Sequence, residues 1–175
     1  MPTTKVIECD VVIAGSGMGG MNAAMEAARS GAYCIVLEKD NAIGGNSKWA
    51  GGFDLQASTF ERMRTEHPEG DPGIQKVLVD NFLKDIEYLK GLGLEFRIEW
   101  VGEDNDPRFN YMPHSGEGGI RVFNIFRAHL EEAGGQILLQ TALKRLLTDD
   151  AGNILGVIAI GPEGPVKIHC RAVVL

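Results

Sequence analysis

Asp10-Val11-Val12-Ile13-Ala14-Gly15-Ser16-Gly17-Met18-Gly19-Gly20 decides how this chain folds. Val11 to Ala14 is an uninterrupted apolar run, as a strand covered on both faces requires. In the turn that follows, Gly15 permits a tight bend, Gly17 lets backbone approach a ligand, and Gly20 lets the next helix lie close on the strand. The helix beginning near Met18 aims its free N–H groups and the positive end of its dipole into that turn, so the ligand is anionic. Ala23, Ala24, Ala27 and Ala28 continue the helix to Arg29, and Ser30-Gly31 stops it. Tyr33 to Leu37 reads as a second strand. Glu38 stands at its carboxyl end, about 20 residues beyond the glycine turn, where an acid accepts from ribose hydroxyls. This βαβ unit predicts a dinucleotide site, and an acid there suits an unphosphorylated ribose, FAD or NAD rather than NADP.

The next loop separates FAD from NAD. Asn41-Ala42-Ile43-Gly44-Gly45-Asn46-Ser47-Lys48-Trp49-Ala50-Gly51-Gly52 interleaves glycines with amide and hydroxyl side chains. Such a loop exposes backbone N–H groups and permits close contact with a flat or anionic ligand. A nicotinamide-dependent Rossmann dehydrogenase has no evident use for it directly after its ribose acid. That enzyme class and a non-catalytic flavin-binding module remain the alternatives.

The pairing of G-S-G-x-G-G with E-K and then G-G-N-S-x-x-A-G-G resembles the fumarate reductase/succinate dehydrogenase flavoprotein superfamily, the FAD-dependent oxidoreductase 2 group, which includes the 3-ketosteroid dehydrogenases. The resemblance implies that Gly15, Ser16, Gly17, Gly19 and Gly20 surround the FAD pyrophosphate, that Glu38 holds the adenosine ribose, and that Lys39 lies near the adenine end. It also implies that Gly45, Asn46, Ser47, Ala50, Gly51 and Gly52 form the segment reaching the pyrophosphate and isoalloxazine. Some respiratory members of that superfamily attach FAD through a histidine in this loop. No histidine stands between Lys39 and His67, so the resemblance implies non-covalent FAD. The Asn46 to Gly52 spacing fits the ketosteroid dehydrogenase-like pattern better than the N-T-K-x-A-A-G-G of soluble fumarate reductases. The implied chemistry is hydride transfer between flavin N5 and a carbon–carbon bond activated by a neighbouring carbonyl or carboxylate. Its substrate is a small carboxylate or enone, with an electron partner that the motifs do not identify. Members of the superfamily are much longer than 175 residues, so the expected object is the N-terminal part of an incomplete FAD-binding domain lacking its cap and substrate domain.

Past the loops, Asp71-Pro72 has the form of an N-cap and first helical residue. Ile74, Val77, Leu78, Phe82, Ile86 and Leu89 then recur at helical spacing as far as Gly91. Leu94 to Gly119 reads as irregular, with a turn cluster at Asp104-Asn105-Asp106-Pro107. Arg121 to Ala133 restores helical spacing, Gly134-Gly135 stops it, and Gln136 to Leu139 reads as a third parallel strand. Lys144 to Leu147, Ile154 to Ile160 and Val166 to Cys170 are alternating runs separated by turns, an antiparallel meander before a last parallel strand ending at Leu175. Thr141-Ala142-Leu143 would then pass the adenine, with Leu143 touching it through its backbone. The expected fold is α/β: a Rossmann-like parallel sheet flanked by helices with an inserted antiparallel β-meander, forming one domain over residues 1–175.

A net charge of −7 without any basic stripe argues against a nucleic-acid partner. No apolar run approaches the ~18 residues of a membrane span, and a cytoplasmic setting is expected. Cys9, Cys34 and Cys170 lie in or beside strands and read as buried free thiols. The polar residues give no catalytic assignment. His114-Ser115 between Arg108 and Arg121 has the chemistry to bind a carboxylate or carbonyl, yet reads better as a structural loop. His67, His129 and His169 lack metal-ligand spacing. Glu131-Glu132 and Asp149-Asp150 read as solvated faces, and Trp49 as a residue packed beside the flavin or in the core.

Overall fold

The computed structural model describes residues 4–50, 53–55, 59–101, 106–111 and 119–175. In chain order the elements are β1 (Lys5–Glu8), β2 (Val11–Ala14), α1 (Met18–Arg29), β3 (Cys34–Leu37), a 3₁₀ turn (Gly45–Trp49), β4 (Phe53–Leu55), α2 (Phe60–Glu66) and α3 (Pro72–Gly91). They continue with β5 (Arg97–Val101), β6 (Asp106–Tyr111), α4 (Ile120–Glu132), β7 (Gln136–Leu138), β8 (Ala142–Thr148), β9 (Ile154–Gly161), β10 (Gly164–His169) and β11 (Ala172–Val174). The chain forms two compact units, Met1–Trp49 with Gly119–Leu175, and Ala50–Gly118.

The first unit is built on a parallel sheet in the order β11-β2-β3-β7. All four residues of β3 are buried, which is why Cys34-Ile35-Val36-Leu37 is apolar without alternation. One face carries helices: a Cβ on Gly20 of α1 would lie 3.4 Å from the Ile13 side chain, and the Cys34 thiol reaches the Ala24 carbonyl at 3.6 Å. The other face carries the meander. Val12, Ile35 and Leu37 pack with Val157, Ala159 and Ile168 in a single apolar layer.

The meander is the antiparallel set β8-β9-β10, and β1 joins it in parallel alongside β10. Sequence reading gives no strand before Asp10, so β1 is an addition. The chain therefore passes from the mixed sheet to the parallel sheet twice, side by side, from β1 to β2 and from β10 to β11. Backbone bonds tie the two passages, Cys9 N to His169 O at 3.0 Å and Arg171 N to Asp10 O at 3.0 Å. The Asp10 carboxylate also accepts from Tyr33 N at 2.9 Å, fixing the entry of β3. Cys9 and Cys170 enter the same apolar layer, so two thiols far apart in sequence are brought together, while Cys34 faces α1; all three are free.

In the second unit Asp71 caps α3 by accepting from Ile74 N at 2.9 Å. Leu94 to Gly119, read as irregular, holds β5 and β6, which pair with β4 as an antiparallel sheet in the order β4-β6-β5. Pro107 lies in β6 opposite Trp100 of β5, while the described part of β4 pairs with Phe109 to Tyr111. No helix among the described residues is long and apolar enough to cross a membrane.

Candidate functional site

The glycine turn sits at the carboxyl ends of β2 and β3. Gly15 has φ +101°, a conformation that side-chain-bearing residues rarely adopt, and its N–H donates to Leu37 O at 2.8 Å. A Cβ on Gly20 would lie 2.0 Å from the Gly15 carbonyl oxygen, so the helix reaches the strand only because that atom is missing. A Cβ on Gly17 would meet nothing within 4 Å. Gly17 is also the N-cap of α1 and has no side chain with which to cap it. Among the described residues no side chain caps the first turn of α1, as an anion site requires.

Ser16 binds this turn to two other segments. It is fully buried, its N–H donates to Glu38 Oε2 at 2.9 Å, and its hydroxyl donates to the same oxygen. Gly44 N donates to both Ser16 O and Ser16 Oγ, each at 3.0 Å. Gly44 has φ +103°, and a Cβ there would come within 2.9 Å of the Phe123 ring, so α4 forms a floor beneath the second loop. Gly45 follows with φ +49°, and a Cβ on it would stand 3.6 Å from Gly17 Cα. The two glycine loops thus face each other.

Glu38 is 4% exposed. Its Oε1 accepts from Asp40 N at 2.9 Å. Burial opposes its charge, but the Ser16 hydroxyl, the Asp40 and Ser16 N–H groups and the Lys48 charge outweigh burial and hold the carboxyl below its ordinary value. The segment after β7 zips onto the same corner through Glu38 N to Leu138 O at 2.9 Å, Thr141 N to Glu38 O at 2.8 Å and Gln140 N to Asp40 O at 2.9 Å. Gln140 takes φ +50° to make that reversal, the strain being offset by the bonds on either side.

These segments enclose a cavity of about 450 Å³, lined by Ala14, Gly15, Ser16, Gly17, Leu37 to Asp40, Gly45, Asn46 and Thr141 to Leu143. It lies outside the carboxyl ends of parallel strands, the usual position for ligands in such sheets. A larger cavity, about 930 Å³, opens between Thr4, Lys5 and the turn at Pro162 to Pro165, and shares Thr141 with the first. Its lining includes no helix N-terminus, whereas the smaller cavity contains the start of α1 at Gly17, so the anion-binding chemistry belongs to the smaller one.

Of the expected site residues, Gly15, Ser16, Gly17, Glu38, Lys39, Gly45, Asn46 and Leu143 line the one cavity. Gly19 and Gly20 belong to α1, with Gly20 closed against Gly15. Ser47 lies in the 3₁₀ turn and Ala50 just after it, neither on the cavity wall. Gly51 and Gly52 fall outside the described residues, as do His114 and Ser115. Trp49 is 80% exposed, which removes the core reading, and Lys48 Nζ stands 5.4 Å from its ring centroid. Sequence reasoning missed Asp40, whose N–H fixes Glu38, and Phe123, whose ring the loop glycine accommodates. An acid two residues past a ribose acid and a phenylalanine at helical spacing carry no signal of their own.

The fold and site define a Rossmann-type dinucleotide-binding unit. A family model for FAD dependent oxidoreductase matches residues 10–174, and the chain belongs to that family. Over 95% of its length it is 28% identical to fumarate reductase (cytochrome) of Shewanella frigidimarina, covering 32% of that protein. A stretch of 67 residues, 38% of the chain, is 49% identical to digoxin reductase of Eggerthella lenta, covering 12% of it. Among solved structures, a 3-ketosteroid-Δ4-(5α)-dehydrogenase from Rhodococcus jostii RHA1 superposes with a TM-score of 0.80 at 23% identity, over 94% of this chain and 44% of that one. An open flavocytochrome c3 fumarate reductase gives 0.79 at 22% identity, over 97% and 33%. The chain spans about a third of the length of the fumarate reductases it matches. The family implies a flavin, so the NAD-dependent alternative gives way.

Proposed function

We propose that this chain binds FAD non-covalently in the cavity between its two glycine loops, and that the protein moves hydride between the flavin and a carbon–carbon bond activated by a carbonyl or carboxylate. One observation carries the binding reading. Among the cavity-lining glycines, Gly15 and Gly45 are required by positive φ, whereas Gly17 has φ −66° and a would-be Cβ free of protein neighbours. Its missing side chain serves something outside the chain. The open first turn of α1 suits a pyrophosphate, Glu38 suits a ribose, and Asn46 offers an amide across the cavity from the turn.

Bound FAD supplies hydride exchange at its N5, and the protein's part is to bind, orient and shield it. Fumarate, digoxin and a 3-ketosteroid are the compounds for which the relatives are named, and a carboxylate- or enone-type small molecule is the corresponding reading here. Non-covalent attachment is supported by the lack of a histidine between Lys39 and His67. Three thiols without a disulfide support a cytoplasmic setting. No catalytic acid or base is assigned.

The test is retention of flavin. The purified chain, mixed with FAD and stripped of free ligand, should keep a yellow visible spectrum, and Gly17→Ala should lose it with the fold unchanged. A folded wild-type protein that emerges colourless, or a variant that retains as much flavin as the wild type, sinks the reading.

A further inference from the structure

We propose that Ser16 is a positioning residue for ribose recognition: it holds the Glu38 carboxylate against the second glycine loop and gives no donor to the pyrophosphate. The assignment rests on the reading that the cavity takes a dinucleotide.

The argument is a count of donors and acceptors. A serine has one backbone N–H, one hydroxyl hydrogen and two hydroxyl lone pairs. Both hydrogens of Ser16 go to Glu38 Oε2, the N–H at 2.9 Å. An ionised carboxylate carries no hydrogen, so the direction of the hydroxyl bond is fixed. The same hydroxyl oxygen accepts from Gly44 N at 3.0 Å. A pyrophosphate only accepts hydrogen bonds, and Ser16 has no hydrogen left to offer it. Phosphate donors then come from elsewhere on the cavity wall, at Gly17 with the first turn of α1 and in the second glycine loop.

The count continues on Glu38. A carboxylate has about four acceptor positions. Ser16 fills two on Oε2, and Asp40 N takes one on Oε1 at 2.9 Å. Counting donors among the described residues, one position remains, on Oε1, so Glu38 reads a single hydroxyl in a fixed direction. Without the Ser16 hydroxyl, a buried carboxylate loses a donor and Gly44 N loses one of its two acceptors, and both effects fall on the ribose end of the cavity. The Lys48 charge and the three donors already keep this carboxyl ionised, which agrees with the arrangement.

Two measurements test the assignment. In the ligand-free chain, a carboxyl-carbon NMR titration of Glu38, identified by its loss in Glu38→Gln, should show an upward-shifted midpoint in Ser16→Ala. An unchanged midpoint overturns the assignment whatever ligand the cavity takes. FAD titrations of the wild type, Ser16→Ala, Glu38→Gln and the double variant then form a cycle. Ser16→Ala should weaken binding about tenfold in the native background and less than about twofold beside Glu38→Gln. Equal losses in both backgrounds mean that Ser16 contacts the ligand directly, and overturn the proposal. No FAD binding by the wild type overturns the dinucleotide reading and the ribose role with it, while the NMR result still reports the Ser16–Glu38 tie. Should Ser16→Ala not fold, Ser16→Cys keeps the volume, replaces a strong donor with a weak one and serves the same comparisons.

Discussion

Three glycines within a few residues of one another differ in what the structure asks of them: Gly15 has φ +101°, Gly17 has φ −66° with open space where a methyl group would stand, and Gly20 alone would drive a methyl group into backbone. Gly20→Ala places a carbon 2.0 Å from a backbone oxygen, which no side-chain rotation relieves. Overpacking of this kind costs about 1–3 kcal/mol or more. A thermal melt of Gly20→Ala should therefore fall by at least about 2–4 °C, whereas Gly17→Ala, a change at an N-cap with space around it, costs no more than about 1 kcal/mol. Equal melting temperatures for Gly20→Ala and the wild type would contradict the close helix–strand contact. The tight bend at Gly15 and the close helix–strand approach at Gly20 were legible in the spacing once the flanking strand and helix were read with it. The role of Ser16 was not, because its hydroxyl had as much reason to face a phosphate as to face an acid brought back by a different strand.

At the scale of elements, α3 shows where periodicity stops being informative. Its apolar spacing predicts a buried stripe from Ile74 to Leu89, and Phe82 and Ile86 are buried as expected. Ile74 and Val77 are 73% and 63% exposed, and Gln75 is buried in their place. Gln75 wins because its side chain joins two segments: Nε2 donates to His67 O at 2.8 Å and Oε1 accepts from Arg64 Nη1 at 2.9 Å. Ile86→Ala should cost about 2–5 kcal/mol in a denaturant melt, and Val77→Lys less than about 0.5 kcal/mol. The reverse order would show that the exposed stripe carries the stability of the helix. The β5 strand is a different case, since Leu94-Glu95-Phe96-Arg97-Ile98-Glu99-Trp100 alternates with a period of two, and the signal was present. The turn cluster from Asp104 to Pro107, shortly after it, argued for loop.

Across the first unit as a whole, the doubled passage between sheets brings Cys9 and Cys170 into one layer. Burial, reinforced by Cys170, Asp10 and Cys34, pushes the Cys9 thiol up to about 12, and burial raises Cys34 and Cys170 as well. Folding thus strengthens proton binding at these groups. Their contribution to stability is complete below the ordinary thiol value of about 8.5 and is lost as pH rises through the folded values. Melting temperature should fall between pH 8 and pH 10.5 more in the wild type than in Cys9→Ala, the difference between the two removing the lysines and tyrosines that titrate in both. Parallel pH profiles for the two proteins would refute this account.

What the sequence determined by itself is the local grammar: a buried strand, a turn that only glycine can make, a helix start with free N–H groups, and an acid about 20 residues further on. These are fixed by sterics and hydrogen bonding over a few residues, so they survive without knowledge of the rest. Only the tertiary structure decided which distant segments meet, such as β1 beside β10, Phe123 beneath Gly44, and Gln140 turning Thr141 back over Glu38. The same holds for Glu38 itself: the chain marks it as an acid at a strand end, and Asp40 two residues on is a local donor, but the two donors on Oε2 both come from Ser16, which only folding brings beside it.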